Sequence, residues 1–152
     1  MNRRDQISLS TAEQRAFLAA SKTIILSTID RYGFPDSVPM WFVVDEDGAI
    51  LMTTYAKSQK VRNVRRDPKV ALLVESGVTY ETLKGVLIRG VAEIRSDPTM
   101  CVSTLQRIHD KMSRGAGGVE AAMLKQAAKR VVIRVVPQRV SSWDHHKLGG
   151  TY

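Results

Sequence analysis

The pattern of hydrophobic and polar positions predicts one helix near the start of the chain and strands through most of the remaining sequence. Ser10-Thr11-Ala12-Glu13 has the spacing of a capping box, and Phe17 and Leu18 share one face of the helix that would begin there. We expect this helix to end near Ala20. From position 22 onward, short runs of β-branched and aromatic residues alternate with turn sequences, which is typical of strands.

The strand-like runs succeed one another with few helices between them. They cover residues 22–29, 37–44, 49–54, 69–75, 86–95 and 130–136. Helices are predicted over residues 58–66, from Pro98 to about Met112, and as a short stretch before the last strand. Because crossover helices are missing between most strands, the order favours an antiparallel sheet or closed barrel over a parallel α/β fold.

Length and composition indicate a single domain. The chain has 152 residues, 43% hydrophobic and 25% charged, which is enough to bury a sizeable core. Cys101 is the single cysteine, so an internal disulfide is excluded. No apolar run approaches the roughly 18 residues of a membrane span, and no signal-peptide pattern comes after the first residues. We therefore expect one cytoplasmic domain, residues 1–152, without membrane association.

The charge balance directs attention to anionic ligands. The formal net charge is +8, and six basic residues fall between positions 57 and 69. Nucleic acid is one class of partner that such a charge suits. However, aromatic residues make up 6% of the chain, and no aromatic-interleaved RNA motif is present. Nucleic acid is therefore not the expected partner.

The basic segment has a feature that indicates a phosphate. Ser58 is a good N-cap, and Lys60 and Arg62 then lie in the first turn of the predicted helix. Cations are locally unfavourable at this positive end of the helix dipole. The placement is explained if backbone amides, the Ser58 hydroxyl and the two cations hold an anion such as phosphate.

The same segment also fits a solvated basic face. Arg62, Arg65 and Arg66 recur at helical spacing, with Val61 and Val64 turned inward. Charged runs are commonly solvated faces of this kind. The pattern alone does not separate the two interpretations.

Several segments, taken in order, resemble the flavin-binding split-barrel superfamily around pyridoxamine 5'-phosphate oxidase, particularly its flavin and deazaflavin oxidoreductase branch. These segments are Pro39-Met40-Trp41-Phe42, the Asp47-Gly48 hairpin, Ser58-x-Lys60, Pro68-Lys69-Val70, Arg89-Gly90-Val91-Ala92-Glu93 and residues 143–150. The resemblance implies a mainly β fold, a six-stranded antiparallel split β-barrel of Greek-key type with a few peripheral helices. It also implies a homodimer with two equivalent cofactor sites at the subunit interface.

The resemblance implies cofactor-binding roles for seven residues. Lys60 and Arg62 would take the cofactor phosphate, with Ser58 and Thr54 hydrogen-bonding near it. The backbone of Met40 and Trp41 would lie along the ring system. Asn63 would either contact the cofactor or brace the helix.

The resemblance also suggests a substrate pocket but no catalytic acid or base. Trp143 and His145 would reach across the dimer to line the pocket, and a solvated tail is the alternative for this segment. The implied activity is hydride transfer from a bound deazaflavin or flavin to a small conjugated organic acceptor. A non-catalytic carrier of a flavin or haem-type ligand is a second possibility, because one fold serves many functions.

Departures from the oxidase pattern bear on the cofactor. Gln59-Lys60 stands where the pyridoxamine phosphate oxidases carry an Arg-Lys pair, and their C-terminal arginine pattern is missing from residues 141–152. Vitamin B6 oxidation is therefore not expected. Coenzyme F-420 has a strongly anionic oligoglutamate tail, which suits the basic residues bordering the phosphate site. We expect F-420 in preference to flavin mononucleotide (FMN).

Three other features have simpler interpretations. His145-His146, with His109 or Cys101, lacks the spacing of a metal site, so no metal is expected. Arg114-Gly115-Ala116-Gly117-Gly118 lacks the ending of a phosphate loop and is expected to be a plain loop. Cys101 lies among apolar residues of a predicted helix and is expected to be a core or boundary residue.

Overall fold

Seven antiparallel strands form one curled sheet in the computed structural model, which describes residues 2–113 and 120–150. The strands are β1 (Thr23–Ile29), β2 (Pro35–Trp41), β3 (Val43–Val44), β4 (Ile50–Tyr55), β5 (Lys69–Ser76), β6 (Lys84–Arg95) and β7 (Arg130–Asp144). Their order across the sheet is β2-β1-β5-β6-β7-β4-β3. This arrangement confirms the predicted mainly β split-barrel fold. The predicted run 37–44 is divided at Phe42, which accounts for the seventh strand.

The helices lie at the ends and along one side of the sheet. They are α1 (Arg3–Ile7), α2 (Thr11–Ala20), α3 (Gln59–Arg66), α4 (Pro98–Ser113) and α5 (Glu120–Ala127), with short 3-10 helices at Tyr80–Thr82 and His145–Leu148. Helix α2 begins with the predicted capping box and ends at the predicted residue. Helix α1 was not predicted, since five residues are too few to show a helical period. The Arg114–Gly118 loop lies outside the described residues.

The main core lies on the concave side of the sheet. Alternate residues of β1, β5 and β6 point into it, and Phe42 is fully buried among them. A second, smaller cluster lies between α4 and the sheet, and it includes Cys101 as predicted. Lys111 attaches α4 to residues of the main core. Its Nζ donates to the carbonyl oxygens of Leu18 and Phe42, both at 3.2 Å, and lies 3.8 Å from the Phe42 ring centroid.

The last strand is longer than predicted. Strand β7 runs on to Asp144 and pairs with β6 from Val132 onward, apart from one bulge, so Trp143 lies opposite Gly85. The alternative of a solvated tail therefore does not hold for Trp143, which is half-buried within this strand. A β-bulge between Val136 and Arg139 hid the continuity, because it breaks the alternation on which strand prediction depends.

The outer side of the sheet carries an apolar strip. Ile25 lies opposite Leu73, and Leu73 lies opposite Leu87, so the three side chains form one row across β1, β5 and β6. All three are half-buried. In the described part of the chain, no helix is both long and apolar enough to span a membrane.

Glu13 joins the first long helix to the C-terminal end of the chain. Its carboxylate accepts hydrogen bonds from Lys147 Nζ at 2.9 Å and from the backbone amide of Ser10 at 2.6 Å. These two interactions lower the pKa of Glu13 from 4.5 to about 2. A carboxyl whose pKa is lowered by folding stabilises the protein above its unfolded pKa and loses that effect as the pH falls.

We expect Glu13→Gln to lower the urea midpoint at pH 6, and the difference from the wild type to shrink between pH 4.5 and pH 2. Urea unfolding of both proteins at several pH values checks this. The comparison with the variant is needed because Asp47, Glu93 and Asp144 also have lowered pKa values. A difference that does not change with pH would contradict the role of the Glu13 charge.

Candidate functional site

The barrel is open between β2 and β4. Strand β2 is at one edge of the sheet, and β3 at the other edge pairs only with Ile50 and Leu51 of β4. From Met52 to Tyr55, β4 is therefore paired on one side only, with β7. Such an edge leaves backbone N–H and C=O groups for other partners.

A cleft of about 540 Å³ lies at this opening. Its lining comes from β2, β4, α4, α5 and the start of β7: Pro39, Met40, Trp41, Thr53, Leu105, Ile108, His109, Met112, Ser113, Met123, Gln126 and Arg130. We term it the Trp41 cleft, since the Trp41 side chain is 58% exposed there whereas the neighbouring Phe42 is buried. Its volume and mainly apolar wall are typical of sites for small molecules and cofactors.

A hydrogen-bonded cluster of three predicted phosphate ligands lies beside the cleft. Lys60 Nζ donates to Thr54 Oγ1 at 3.2 Å, and Thr54 Oγ1 donates to Ser58 Oγ at 3.3 Å. Ser58 is the N-cap residue of α3, but its hydroxyl makes no capping hydrogen bond. Ser58 is thus at the predicted N-cap position, but its hydroxyl faces Thr54 rather than an amide of the first helical turn. Thr54 comes directly after Thr53 on β4, and successive side chains of a strand point to opposite faces, so this Lys60 cluster and the Trp41 cleft lie on either side of the same stretch of β4.

The cations of α3 are divided between the cluster and the surface. Lys60 is half-buried, whereas Arg62 is exposed and its side chain forms no hydrogen bond or ion pair within the described residues. Two positions correspond to about 200° around the helix axis, so Arg62 faces away from Lys60. Val61 and Val64 are buried, as the solvated-face interpretation predicted. The exposed Arg62 and the inward valines fit the solvated-face interpretation, and the phosphate interpretation of Lys60 stays a prediction.

Asn63 is a brace between α3 and the sheet. Its side chain is completely buried, and Nδ2 donates to Thr28 Oγ1 at 3.0 Å and Asp36 Oδ2 at 3.3 Å. Its Oδ1 accepts from Gln59 at 2.9 Å and from Arg66 at 3.0 Å. The amide nitrogen and oxygen of the Asn63 side chain are thus both hydrogen-bonded within the protein, as expected if Asn63 braces the helix.

Trp143 and His145 lie far from the Lys60 cluster of the same chain. Arg130 begins β7 opposite Tyr55, next to the cleft, and Trp143 is 13 positions further along the strand, or about 40 Å. The ring of Trp143 covers Gly85, and His145 Nδ1 lies 2.7 Å from the carbonyl oxygen of Tyr80. One chain therefore does not bring these two residues to its own Trp41 cleft.

The structure adds cleft residues that the sequence did not assign to the cofactor site, and one of them, His109, had been considered only as a metal ligand. His109 comes from α4 and Arg130 from the start of β7. The Arg130 guanidinium lies 4.5 Å from the Tyr55 ring centroid, and its Nε is buried without a hydrogen-bond partner. The sequences of α4 and α5 contain no recognised motif, so no local pattern predicted that these helices lie beside β2. Within residues 2–113 and 120–150, no three His, Cys, Asp or Glu side chains are grouped to hold a metal.

Comparison with known proteins agrees with this arrangement. The family model of pyridoxamine 5'-phosphate oxidase matches residues 10–144, and the chain belongs to this family. A curated relative, 5a,11a-dehydrotetracycline/5a,11a-dehydrooxytetracycline reductase of Streptomyces rimosus, is 28% identical over 111 residues, which is 66% of this chain and 78% of the relative.

Two solved structures are similar over most of their length. A conserved hypothetical protein from Mycobacterium tuberculosis has a TM-score of 0.90 and 39% identity, covering 100% of this chain and 95% of the other. A protein described as an F-420 reductase has a TM-score of 0.68 and 28% identity, covering 84% and 94%. At the level of the family, these relatives support an oxidoreductase of the flavin or deazaflavin type.

We expect Asn63→Ala to destabilise the protein by about 1–3 kcal/mol, because Thr28 and Asp36 would lose a buried hydrogen-bond donor. Gln59→Ala is the matched control: Gln59 is exposed, and its loss removes one of the same hydrogen bonds at a cost within about 0.5 kcal/mol. Urea unfolding measures both. Unchanged stability of Asn63→Ala with weakened cofactor binding would instead make Asn63 a ligand.

Proposed function

We propose that this protein is a reductase that binds a deazaflavin, coenzyme F-420, in preference to FMN, and delivers a hydride to a small conjugated organic acceptor. The observation that carries the proposal is that the Lys60 cluster and the Trp41 cleft lie on either side of the same stretch of β4, at the opening of the barrel. A phosphate site next to an apolar, concave wall suits a phosphorylated ring cofactor. The names of the S. rimosus relative and of the F-420 reductase support the same class of reaction.

The Lys60 cluster would hold the cofactor phosphate. Lys60 provides the positive charge, and Thr54 and Ser58 provide hydroxyls within 3.3 Å of one another. The first amides of α3 have no acceptor inside the helix, so they are available to the same anion. Little side-chain rearrangement is needed, because the three groups are already in contact.

The Trp41 cleft would hold the ring system. The backbone of Met40 and Trp41 belongs to an edge strand, so amide donors and acceptors are available to the polar edge of a ring. The apolar side chains of α4 and α5 form the opposite wall and exclude water from the reacting face. The bound cofactor supplies the hydride chemistry, and the protein supplies position and orientation.

Unpaired positive charge around α3 favours F-420 over FMN. The side chains of Lys57, Arg62, Arg65 and Lys69 are exposed and form no hydrogen bond or ion pair with the described residues. An oligoglutamate tail would gain from these charges, and the gain would fall as salt rises. FMN has no such tail and would be less sensitive to salt.

The functional unit would be a homodimer. The outer strip of Ile25, Leu73 and Leu87 is an apolar sheet face that a second copy of the chain would cover. Because Trp143 and His145 are distant from their own Trp41 cleft, they would line an acceptor pocket only at the cleft of the other subunit. The other cofactor-binding residues, Arg62 and Asn63, would act at the rim and as the brace respectively.

Lys60→Ala is expected to weaken F-420 binding by about 10- to 100-fold without unfolding the protein, because a charge-assisted contact to phosphate is lost. Arg3→Ala is the matched control, since Arg3 is an exposed cation on α1. Fluorescence titration of the ligand-free protein with F-420 and with FMN, at low and high salt, gives the affinities.

Unchanged affinity in Lys60→Ala would refute the phosphate assignment, and equal losses in both variants would indicate a general charge effect. Tighter or salt-insensitive binding of FMN would overturn the preference for F-420. Reduced cofactor that is not oxidised by any conjugated acceptor would indicate a carrier rather than a reductase.

Leu73→Glu is expected to convert the dimer to a monomer, because it places a charge in the centre of the apolar strip. Leu124→Glu is the control, since Leu124 is 58% exposed on α5, away from this strip. Light scattering measures the mass of each variant. A wild type that is monomeric at micromolar concentration would contradict the proposed dimer.

A further inference from the structure

Arg130 is the one permanently charged side chain in the lining of the Trp41 cleft, among the residues that the structure describes. Thr53 and Gln126 beside it are polar but uncharged. Most of the remaining lining is apolar: Pro39, Met40, Trp41, Leu105, Ile108, Met112 and Met123. A guanidinium in a mainly apolar cleft is costly unless a partner of opposite charge or a hydrogen-bond acceptor meets it.

The described part of the chain supplies no such partner. The Arg130 side chain is half-buried, its Nε is fully buried, and it forms no hydrogen bond or ion pair with the described residues. The Tyr55 ring, 4.5 Å away, attracts the charge but accepts no conventional hydrogen bond. Further along the same strand, Arg134 is paired with Asp47 and Glu93. Because buried donors are nearly always satisfied, the unpaired Nε indicates that a ligand provides the acceptor.

The position of Arg130 separates it from the Lys60 cluster. Arg130 pairs with Tyr55, so its side chain is on the same face of the sheet as Tyr55 and Thr53. Thr54, which belongs to the Lys60 cluster, points to the opposite face. The ligand of Arg130 is therefore not the phosphate that the Lys60 cluster would hold.

The same position places Arg130 where a hydride acceptor would lie. Hydride transfer needs reacting atoms about 3–3.5 Å apart, so the acceptor must share the Trp41 cleft with the cofactor ring. The polar edge of the ring would lie along β2. Strand β4 lies between Arg130 and the gap next to β2, so Arg130 is at the opposite side of the cleft, with α4 and α5.

We propose that Arg130 determines the substrate class by binding the anionic group of the acceptor, which is a conjugated organic acid with an unsaturated chain next to its carboxylate. This inference rests on the proposed function and names the substrate of the same site. The guanidinium, including its buried Nε, would donate paired hydrogen bonds to the carboxylate. The apolar side chains of α4 and α5 would contact the conjugated part. An uncharged acceptor would leave Arg130 unpaired and would be disfavoured.

Reduction of such an acid needs no co-reactant beyond the reduced cofactor and water. A C–H bond forms at the carbon β to the carboxylate with the hydride of the cofactor, which is thereby oxidised. The electrons of the C=C π bond move towards the carboxylate oxygens, and solvent then supplies a proton to the α carbon. Arg130 stays protonated throughout, and its charge offsets the negative charge that develops on those oxygens.

The pair trans-cinnamate and trans-cinnamamide tests this assignment, because the two compounds share a conjugated skeleton and differ in charge. Calorimetric titration of the wild type with each compound, with and without saturating oxidised F-420, gives the affinities. We expect cinnamate to bind at least about tenfold more tightly than cinnamamide. Arg130→Gln is expected to abolish this preference by weakening cinnamate binding, while its affinity for F-420 stays within about twofold of the wild type.

Lys129→Gln is the matched control. Lys129 is exposed, adjoins Arg130 in the sequence, does not line the cleft, and its substitution changes the net charge equally. We expect this variant to keep the preference of the wild type for cinnamate.

Equal affinity of the wild type for the two compounds, or no binding of cinnamate, would overturn the assignment without any variant. The same loss of preference in Lys129→Gln would also overturn it, by indicating a general effect of charge. Weakened F-420 binding in Arg130→Gln with the preference retained would make Arg130 a cofactor ligand instead. Failure of both F-420 and FMN to bind would refute the proposed function but not the anion site, since the preference for cinnamate is also measured without cofactor.

Discussion

The incomplete closure of the barrel is the constraint on which the site depends. Strand β3 has two residues, so β4 loses its partner after Leu51, and the edge strand β2 lies beside the resulting gap. Phe42 causes this break, because its ring is fully buried and diverts the chain between β2 and β3. A closed barrel would have satisfied these backbone groups with neighbouring strands. Here they are available to a ligand.

Helix α4 turns the gap into a cleft, and Lys111 positions the helix. The Lys111 ammonium bonds to two carbonyl oxygens and lies over the same Phe42 ring that divides β2 from β3. Burial lowers the pKa of Lys111 to about 8, so the contact costs desolvation that the carbonyls and the ring offset. Because Lys111 contacts Phe42, the position of the break between β2 and β3 also determines where α4 forms the wall of the cleft.

The net charge of +8 is unevenly distributed over the fold. Arg95, Arg107 and Arg134 are neutralised by neighbouring carboxylates. Unpaired cations are instead found around α3 and at Arg4, Arg89 and Arg139. Folding therefore concentrates positive potential at two separate places on the surface, and such a concentration attracts anions more strongly than the same charges spread evenly. The family alone does not decide which anions these are, since related folds serve different functions.

Local patterns in the sequence determined the elements whose signals span a few residues. Neighbouring residues alone were enough to predict the capping box at Ser10, the alternation in most strands and the inward valines of α3. Resemblance over ordered segments then indicated the family and named Lys60 as a candidate phosphate ligand. The tertiary structure decided everything that joins residues distant along the chain. It turned the Ser58 hydroxyl towards Thr54, buried Asn63 against Thr28, and set α4 over β2.

The β-bulge in β7 shows most directly why the sequence alone does not reveal contacts between distant residues. Arg89 and Arg139 are 50 positions apart, and their contact depends on one extra residue in β7 and one glycine in β6. Neither residue changes the local pattern enough to reveal the pairing. Register between strands is set by packing and backbone hydrogen bonds over the whole sheet, and a shift of one residue exchanges which side chains meet. Sites built from such pairings are therefore determined by the folded chain as a whole.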